Sequence, residues 1–345
     1  MAKKAGKRIS APTDPNDIWN KNPEVVRSFL DKIPDYQQLC TEVAYILEKK
    51  LKAEAIEIAM VVWRAKTLKS FLEKIERKKY GQPFEEITDF AGVRVVALYV
   101  SDIPRIEEII GREFTVVEKV DKLNDKGSDK FGYGAIHFIV KLGQSSSGAR
   151  YDDLKELICE IQVRTVLQDA WAIIDHHLVY KNESDVPTLL QRKLNRLAGL
   201  FEMADDQFDS VRSERAAYLN EIRESKASPH QFLENELNQD SFVEYLKWKF
   251  PNLESESYEN QAAQILFFVD KDKYRHLSDL DTAVERAQPV MPKVIKELRK
   301  ENLRFINYAA LQVLLALILV DDEVRRSEPF LNETIRGIIE ENVLK

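Results

Sequence analysis

Four short segments of this 345-residue chain bring together residue types suited to phosphate and metal chemistry. In Glu160-Ile161-Gln162-Val163-Arg164-Thr165, a strand period of two sets Glu160, Gln162 and Arg164 on one face and turns Ile161 and Val163 to the other. A carboxylate, an amide and a guanidinium aligned in this way are costly to bury without partners. Asp89, in Thr88-Asp89-Phe90-Ala91-Gly92-Val93-Arg94, stands at the entrance of an apolar run. With Glu160 it forms the type of carboxylate pair that holds Mg²⁺ together with substrate phosphate oxygens. Lys66, Ser70 and Lys74 fall at i, i+4 and i+8, just after Arg64. Lysine as a point charge and arginine as a bidentate fork together suit a polyphosphate. In Lys130-Phe131-Gly132-Tyr133-Gly134-Ala135-Ile136-His137, glycines flank an aromatic ring, which offers a stacking platform for a base, with His137 close behind. Each pattern alone is equally a solvated helix face, a turn residue or a plain loop.

The elements that position these residues follow from periodicity. Residues 1–20 carry prolines and many polar side chains and read as a flexible arm. From Pro23 to Lys79 the pattern is helical, with a second long helix expected from about Ala53 to Lys79, so that Arg64, Lys66, Ser70 and Lys74 would share one helix. Runs rich in Val, Ile and aromatic residues then predict strands over 90–100, 114–120, 136–142 and 157–164, with a short helix at 102–111 and helices over 165–181 and 187–223. Beyond a polar joint at 225–229 the chain reads as helices broken at Pro251 and near Pro289 and Pro292, and the apolar run 305–320 reads as a buried core helix. The expected class is α+β: a mixed β-sheet flanked by helices over 21–225, followed by an all-α C-terminal domain over 228–345.

Composition removes several alternatives. The net charge is −7 and neither half is strongly basic, which argues against a bulk nucleic-acid binder. No GxGxxG or GxxxxGK[ST] is present, so the nucleotide-binding glycine cradles have no motif here. Two distant cysteines, Cys40 and Cys159, suggest neither a disulfide framework nor a Cys-based zinc site and suit a reducing cytoplasm. The basic start of the chain has no apolar core of a signal peptide, and no membrane span is expected.

Taken together, the four segments, in the order R-x-K-x3-S-x3-K, D-x-x-G-V-R, G-Y-x3-H and E-x-Q-x-R-T, resemble the RelA/SpoT family of alarmone synthetases. The stretch Ala170-Trp171-Ala172-Ile173-Ile174-Asp175-His176-His177-Leu178-Val179-Tyr180-Lys181 extends the resemblance, which covers roughly residues 40–220. The family has a nucleotidyltransferase-like synthetase fold and moves pyrophosphate from ATP to the 3′-hydroxyl of GDP or GTP. By that resemblance Arg64, Lys66, Ser70 and Lys74 bind ATP phosphates, and Asp89 and Glu160 hold Mg²⁺, with Glu160 also acting as base. Lys130, Tyr133, His137, Gln162 and Arg164 serve the acceptor nucleotide. Asp129, Phe131 and Ala135 depart from the family's acceptor loop, so acceptor identity is less determined than reaction type.

The first histidine is His137, so residues 1–136 hold no ligands for a His-based metal hydrolase. The chain therefore resembles a small synthetase with an added helical domain that regulates it, mediates homo-oligomer formation or senses a partner. Two other readings stay open: a toxin-like relative acting on a tRNA 3′ end or an adenine nucleotide, and a non-catalytic interaction protein that kept the fold.

Overall fold

A computed structural model of the chain describes residues 23–121, 134–178, 187–253, 258–300, 308–327 and 333–343. The N-terminal arm, Lys130, Tyr133 and Tyr180-Lys181 lie outside these residues.

Helix α1 (Pro23–Ala53) buries Val26, Phe29, Leu39, Val43, Leu47 and Leu51 at helical spacing, with Pro34 accommodated within it. It ends without glycine: Ala55 takes a left-handed φ of 52°. The chain then forms strand β1 (Ile58–Ala65), not the continuation of a helix. This corrects the helical expectation for 53–79. The run Ile-Ala-Met-Val-Val-Trp is β-branched and aromatic, and it finds a partner in β2. Helix α2 (Leu68–Lys78) restarts only at Thr67, whose side chain accepts from the Ser70 amide. Arg64 thus sits on a strand, Lys66 in the connection, and Ser70 and Lys74 on α2.

After the short α3 (Pro83–Glu86) come β2 (Ala91–Ala97), α4 (Ile103–Glu113), β3 (Phe114–Asp121), β4 (Ile136–Leu142), β5 (Cys159–Thr165), α5 (Val166–Leu178) and α6 (Thr188–Ser225). The strands form one mixed sheet in the order β1-β2-β5-β4-β3, in which β2 and β5 are parallel and the other neighbours antiparallel. Burial alternates along β5: Cys159, Ile161, Val163 and Thr165 are buried, and Glu160, Gln162 and Arg164 are half-buried on the other face, as strand periodicity requires.

One face of the sheet packs on a core built with α1 and α2. Phe29, Tyr36, Phe71, Phe84 and Phe90 interlock there, with Phe29 and Phe71 stacked at 4.9 Å and Tyr36 and Phe90 at the same separation. Complete burial of a ring such as Phe71 or Phe90 stabilises by up to about 3 kcal/mol. The other face carries the polar residues. Thr165 ends β5 and starts α5 in one step: its amide donates to Gln168 Oε1 at 2.9 Å, and the Gln168 amide returns a bond to Thr165 Oγ1 at 3.1 Å. Thr165 Oγ1 donates in turn to Asp205 Oδ2 of α6 at 2.7 Å.

The chain divides into two compact units, Met1–Val211 and Arg212–Lys345. The division falls within α6, upstream of the polar joint at 225–229, because Tyr218 and Ile222 pack on the C-terminal core. That unit holds α7 (Pro229–Leu233), α8 (Gln239–Lys249), α9 (Tyr258–Leu266), α10 (Leu277–Ala287), α11 (Met291–Lys300), α12 (Ala309–Val320), α13 (Asp322–Ser327) and α14 (Glu333–Glu340). Helix α12 is buried along nearly its whole length, and Phe242, Tyr245 and Leu246 are core residues. Among the described residues no helix is long and apolar enough to cross a membrane.

Candidate active site

Strand register aligns the functional side chains. Arg64, Gly92 and Glu160 are neighbours across β1, β2 and β5, and Val62, Arg94, Gln162 and His137 form the next row through to β4. Gly92 places no side chain between Arg64 and Glu160, and an open cavity of about 160 Å³ lies there. A Cβ at Gly92 would meet only the Arg64 carbonyl oxygen at an ordinary 3.7 Å, so the fold itself tolerates one; the glycine keeps the cavity floor clear. Arg64, Asp89, Gly92, Arg94, Glu160 and Gln162 all line this cavity.

Asp89 is the meeting point of the cationic side. Lys66 Nζ donates to its Oδ2 at 2.7 Å and Lys74 Nζ to its Oδ1 at 2.9 Å. Burial pushes the Asp89 carboxyl up, but the hydrogen bonds and charges of the two lysines outweigh it and hold the group below the usual carboxylate range. Ser70 instead closes the first turn of α2, where Thr67 Oγ1 donates to its hydroxyl at 3.0 Å; it is exposed and does not line the cavity.

Glu160 begins a chain of contacts across the sheet. His137 Nδ1 lies 2.8 Å from its Oε1, Gln162 Nε2 donates to its Oε2 at 2.9 Å, and Arg164 Nη2 donates to Gln162 Oε1 at 2.9 Å. Burial raises the Glu160 carboxyl, whereas His137 and Gln162 lower it by more, so it is ionised at neutral pH despite the nearby charge of Asp89. His137 is thus placed directly against Glu160. Lys130 and Tyr133, expected beside it, lie outside the described residues.

Two residues given no role at the level of sequence belong to the same assembly. Arg94 lines the cavity, and the signal for it was present: it is two residues beyond Gly92 on the same strand face. Asp169, in the first turn of α5, lies 2.8 Å from Arg94 Nη1 and 3.6 Å from Arg164 Nη1. Burial and the Arg94 charge pull the Arg164 guanidinium below its ordinary value, opposed by Asp169 and Glu160. Asp169 is therefore the counter-charge that lets two guanidiniums share one sheet face. No periodicity links it to them; only the turn from β5 into α5 does.

The arrangement sets basic side chains around an acidic pair beside an open cavity on a mixed sheet, a donor set suited to a polyanion. The region found in RelA / SpoT proteins matches residues 63–185. GTP pyrophosphokinase YjbM of Bacillus subtilis (strain 168) is 31% identical over 179 residues, which span 50% of this chain and 82% of that protein. GTP pyrophosphokinase YwaC of the same organism is 27% identical over 157 residues, covering 44% of this chain and 72% of YwaC. Among solved structures, small alarmone synthetase 1 from Bacillus subtilis bound to its product pppGpp is similar at 26% identity and a TM-score of 0.47, covering 55% of this chain and 99% of that one. The chain belongs to the RelA/SpoT family.

Proposed function

We propose that this chain is a pyrophosphokinase that transfers the β,γ-pyrophosphoryl group of ATP to the 3′-hydroxyl of GDP or GTP in the cytoplasm. The acceptor oxygen bonds to the β-phosphorus, the bond from that phosphorus to the α–β bridging oxygen breaks, and AMP leaves. The observation that carries this reading is the convergence of Asp89, Glu160, Arg64 and Arg94 on one cavity, with Lys66 and Lys74 held on Asp89.

The residues act by position and charge. Arg64, Lys66 and Lys74 neutralise the ATP phosphates, the lysines reaching them from the Asp89 carboxylate. The buried Nε atoms of Arg94 and Arg164 have no hydrogen-bond partner in the protein, as suits guanidiniums whose acceptors arrive with substrate. Glu160 takes the proton of the attacking hydroxyl; His137 and Gln162 fix its orientation. Gln162 and Arg164 serve the acceptor side together with His137, and the family resemblance assigns Lys130 and Tyr133, outside the described residues, to the same acceptor.

Asp89 and Glu160 are the residues that would hold Mg²⁺. Among the described residues no group of three or more His, Cys, Asp or Glu side chains gathers around one point, so a cation here needs substrate oxygens as well. Two carboxylates plus phosphate oxygens is the donor set magnesium favours in phosphoryl-transfer sites. When bound, the ion supplies charge neutralisation on the transferring phosphates.

The test uses the full chain with Mg²⁺ and ATP labelled in its β and γ phosphates, offered GDP, GTP, ATP and bulk tRNA separately. Label in a guanosine 3′-pyrophosphate is the expected result. Label in tRNA or an adenine nucleotide alone would assign a different acceptor, and no transfer to any of them would remove the enzymatic reading.

A further inference from the structure

The acidic pair offers four carboxylate oxygens, and in the protein alone each already faces a partner. Lys66 Nζ donates to Asp89 Oδ2 at 2.7 Å and Lys74 Nζ to Oδ1 at 2.9 Å. His137 Nδ1 stands 2.8 Å from Glu160 Oε1, and Gln162 Nε2 donates to Oε2 at 2.9 Å. The two sets of partners differ in kind. Glu160 is oriented by an imidazole and an amide from its own sheet, whereas Asp89 is closed by two ammonium groups from outside the strands, Lys66 in the connection after β1 and Lys74 on α2. The Lys66 side chain is 9% exposed and that of Lys74 23%, so neither pair is a loose surface contact screened by water.

Positive charge is in excess around the cavity. Arg64, Lys66, Lys74, Arg94 and Arg164 stand against Asp89, Glu160 and Asp169. Asp169 is committed to Arg94 and Arg164, which leaves the corner formed by Asp89 and its two lysines cationic. Each Asp89 oxygen keeps a second lone pair. A divalent cation using it would sit beside two ammonium groups in a half-buried site, where like charges repel far more strongly than in water. A polyphosphate meets the opposite field. Its oxygens can take over the lysine hydrogen bonds, and the flexible four-carbon stem of lysine lets the ammonium turn from carboxylate to phosphate.

We propose that Lys66 and Lys74 form an interlock on Asp89: the protein alone refuses a divalent cation, and the triphosphate of the donor nucleotide, by drawing the two ammonium groups onto its own oxygens, opens the carboxylate to the metal. The polyphosphate therefore binds first or brings the ion with it, and a bare ion does not occupy the site. By linkage the coupling is reciprocal, each ligand raising the affinity for the other. The inference rests on the reading of Asp89 and Glu160 as the metal-holding pair of a pyrophosphokinase, and adds to it an order of assembly. Glu160 has no part in the lock, because its partners carry no ammonium charge and need not leave.

Mn²⁺ is the probe that tests this, its binding to the full chain followed by electron paramagnetic resonance with no nucleotide present. The wild type is expected to bind Mn²⁺ only in the millimolar range, and Lys66→Met/Lys74→Met at least about tenfold more tightly. Adding Asp89→Asn to the double variant should abolish the gain, which ties it to the carboxylate. Circular dichroism checks folding, and Lys74→Met, with a partial gain expected, decides alone if the double variant does not fold. In EDTA the wild type should still bind α,β-methylene ATP, whose α–β bridge does not break, and the double variant should lose at least about tenfold of that affinity. The proposal is overturned by a wild type that binds Mn²⁺ unaided as tightly as the lysine variants, by a gain that survives Asp89→Asn, or by a wild type that takes no analogue in EDTA. None of these readouts uses transfer. A chain that shows the interlock yet labels no guanosine nucleotide loses the pyrophosphokinase reading alone, and one that transfers but binds Mn²⁺ unaided loses the interlock alone.

Discussion

Both units of this protein bury carboxylates against lysines, yet the two sets of ion pairs do different work. In the C-terminal unit Asp321 is almost wholly buried and fully satisfied: Lys273 Nζ and Tyr274 Oη donate to Oδ2 at 2.7 and 2.8 Å, and the amides of Glu323 and Val324 donate to Oδ1. Glu244 is likewise engaged by Lys226, Lys247 and Arg223. Each such carboxylate ties helices together or caps one. In the sheet unit Asp89 and Glu160 face one cavity, their partners reach them from several elements, and the Nε atoms of Arg94 and Arg164 are left without acceptors in the protein. Burial of charge is common to both; among the described residues, convergence on a cavity with spare donors is seen in the second. That difference separates a fastening from a site.

The contrast can be broken most sharply at Glu160. Glu160→Gln should lower pyrophosphoryl transfer by about 10³-fold, within the range expected for loss of a general base, with an unchanged circular dichroism spectrum and melting temperature. A variant that keeps its turnover would remove Glu160 from the chemistry. Asp321→Ala should show the reverse pattern. By leaving the Tyr274 hydroxyl and the Lys273 ammonium without their acceptor, it should destabilise the C-terminal unit by about 3 kcal/mol in denaturant titration, with transfer unaffected below the unfolding transition.

A smaller effect is expected at Asp169, which touches neither the cavity nor, on the reading above, the reacting atoms. Asp169→Asn keeps the shape but removes the counter-charge for Arg94 and Arg164, and kcat/KM should fall about tenfold, chiefly through a raised KM. A fall confined to kcat would show that the guanidiniums are not held for binding. The smallest effect is a pH dependence. Burial, together with the charges of Asp209 and Asp206, pushes the Asp205 carboxyl up to about 7. In the unfolded chain it titrates near the ordinary aspartate value, so between about pH 4 and 7 the folded state binds more protons. The stability contributed by protonated Asp205 is therefore present at low pH and lost as pH rises through 7. Melting temperature should decline by a few degrees over that window, and Asp205→Asn should flatten the decline.

Much of the sheet was legible because its strands alternate. The period-two pattern in 157–164 placed Glu160, Gln162 and Arg164 on one face, and the structure shows that alternation along β5. β4 has the bounds its apolar run predicted. β1 was not legible, for a definite reason. Both left-handed turns that bracket the β1–α2 segment, at Ala55 and Lys79, are made without glycine, so no punctuation separates the strand from the helices around it. Lys66 nonetheless reaches Asp89, because the strand ends where the helix was expected to carry it.

What the sequence by itself determined is the chemistry on offer: the carboxylates, the guanidiniums, the lysines, and the strand faces that carry them. These depend on local periodicity, which neighbouring residues encode. What only the tertiary structure decided is which of them meet. Arg64 is brought beside Gly92 and Glu160 by pairing between strands that are distant in sequence, and Asp169 reaches two arginines through the turn into α5. Such meetings are set by strand register and by the turn geometry between elements, and, Arg164 and Asp169 excepted, no short window along the chain contains both partners.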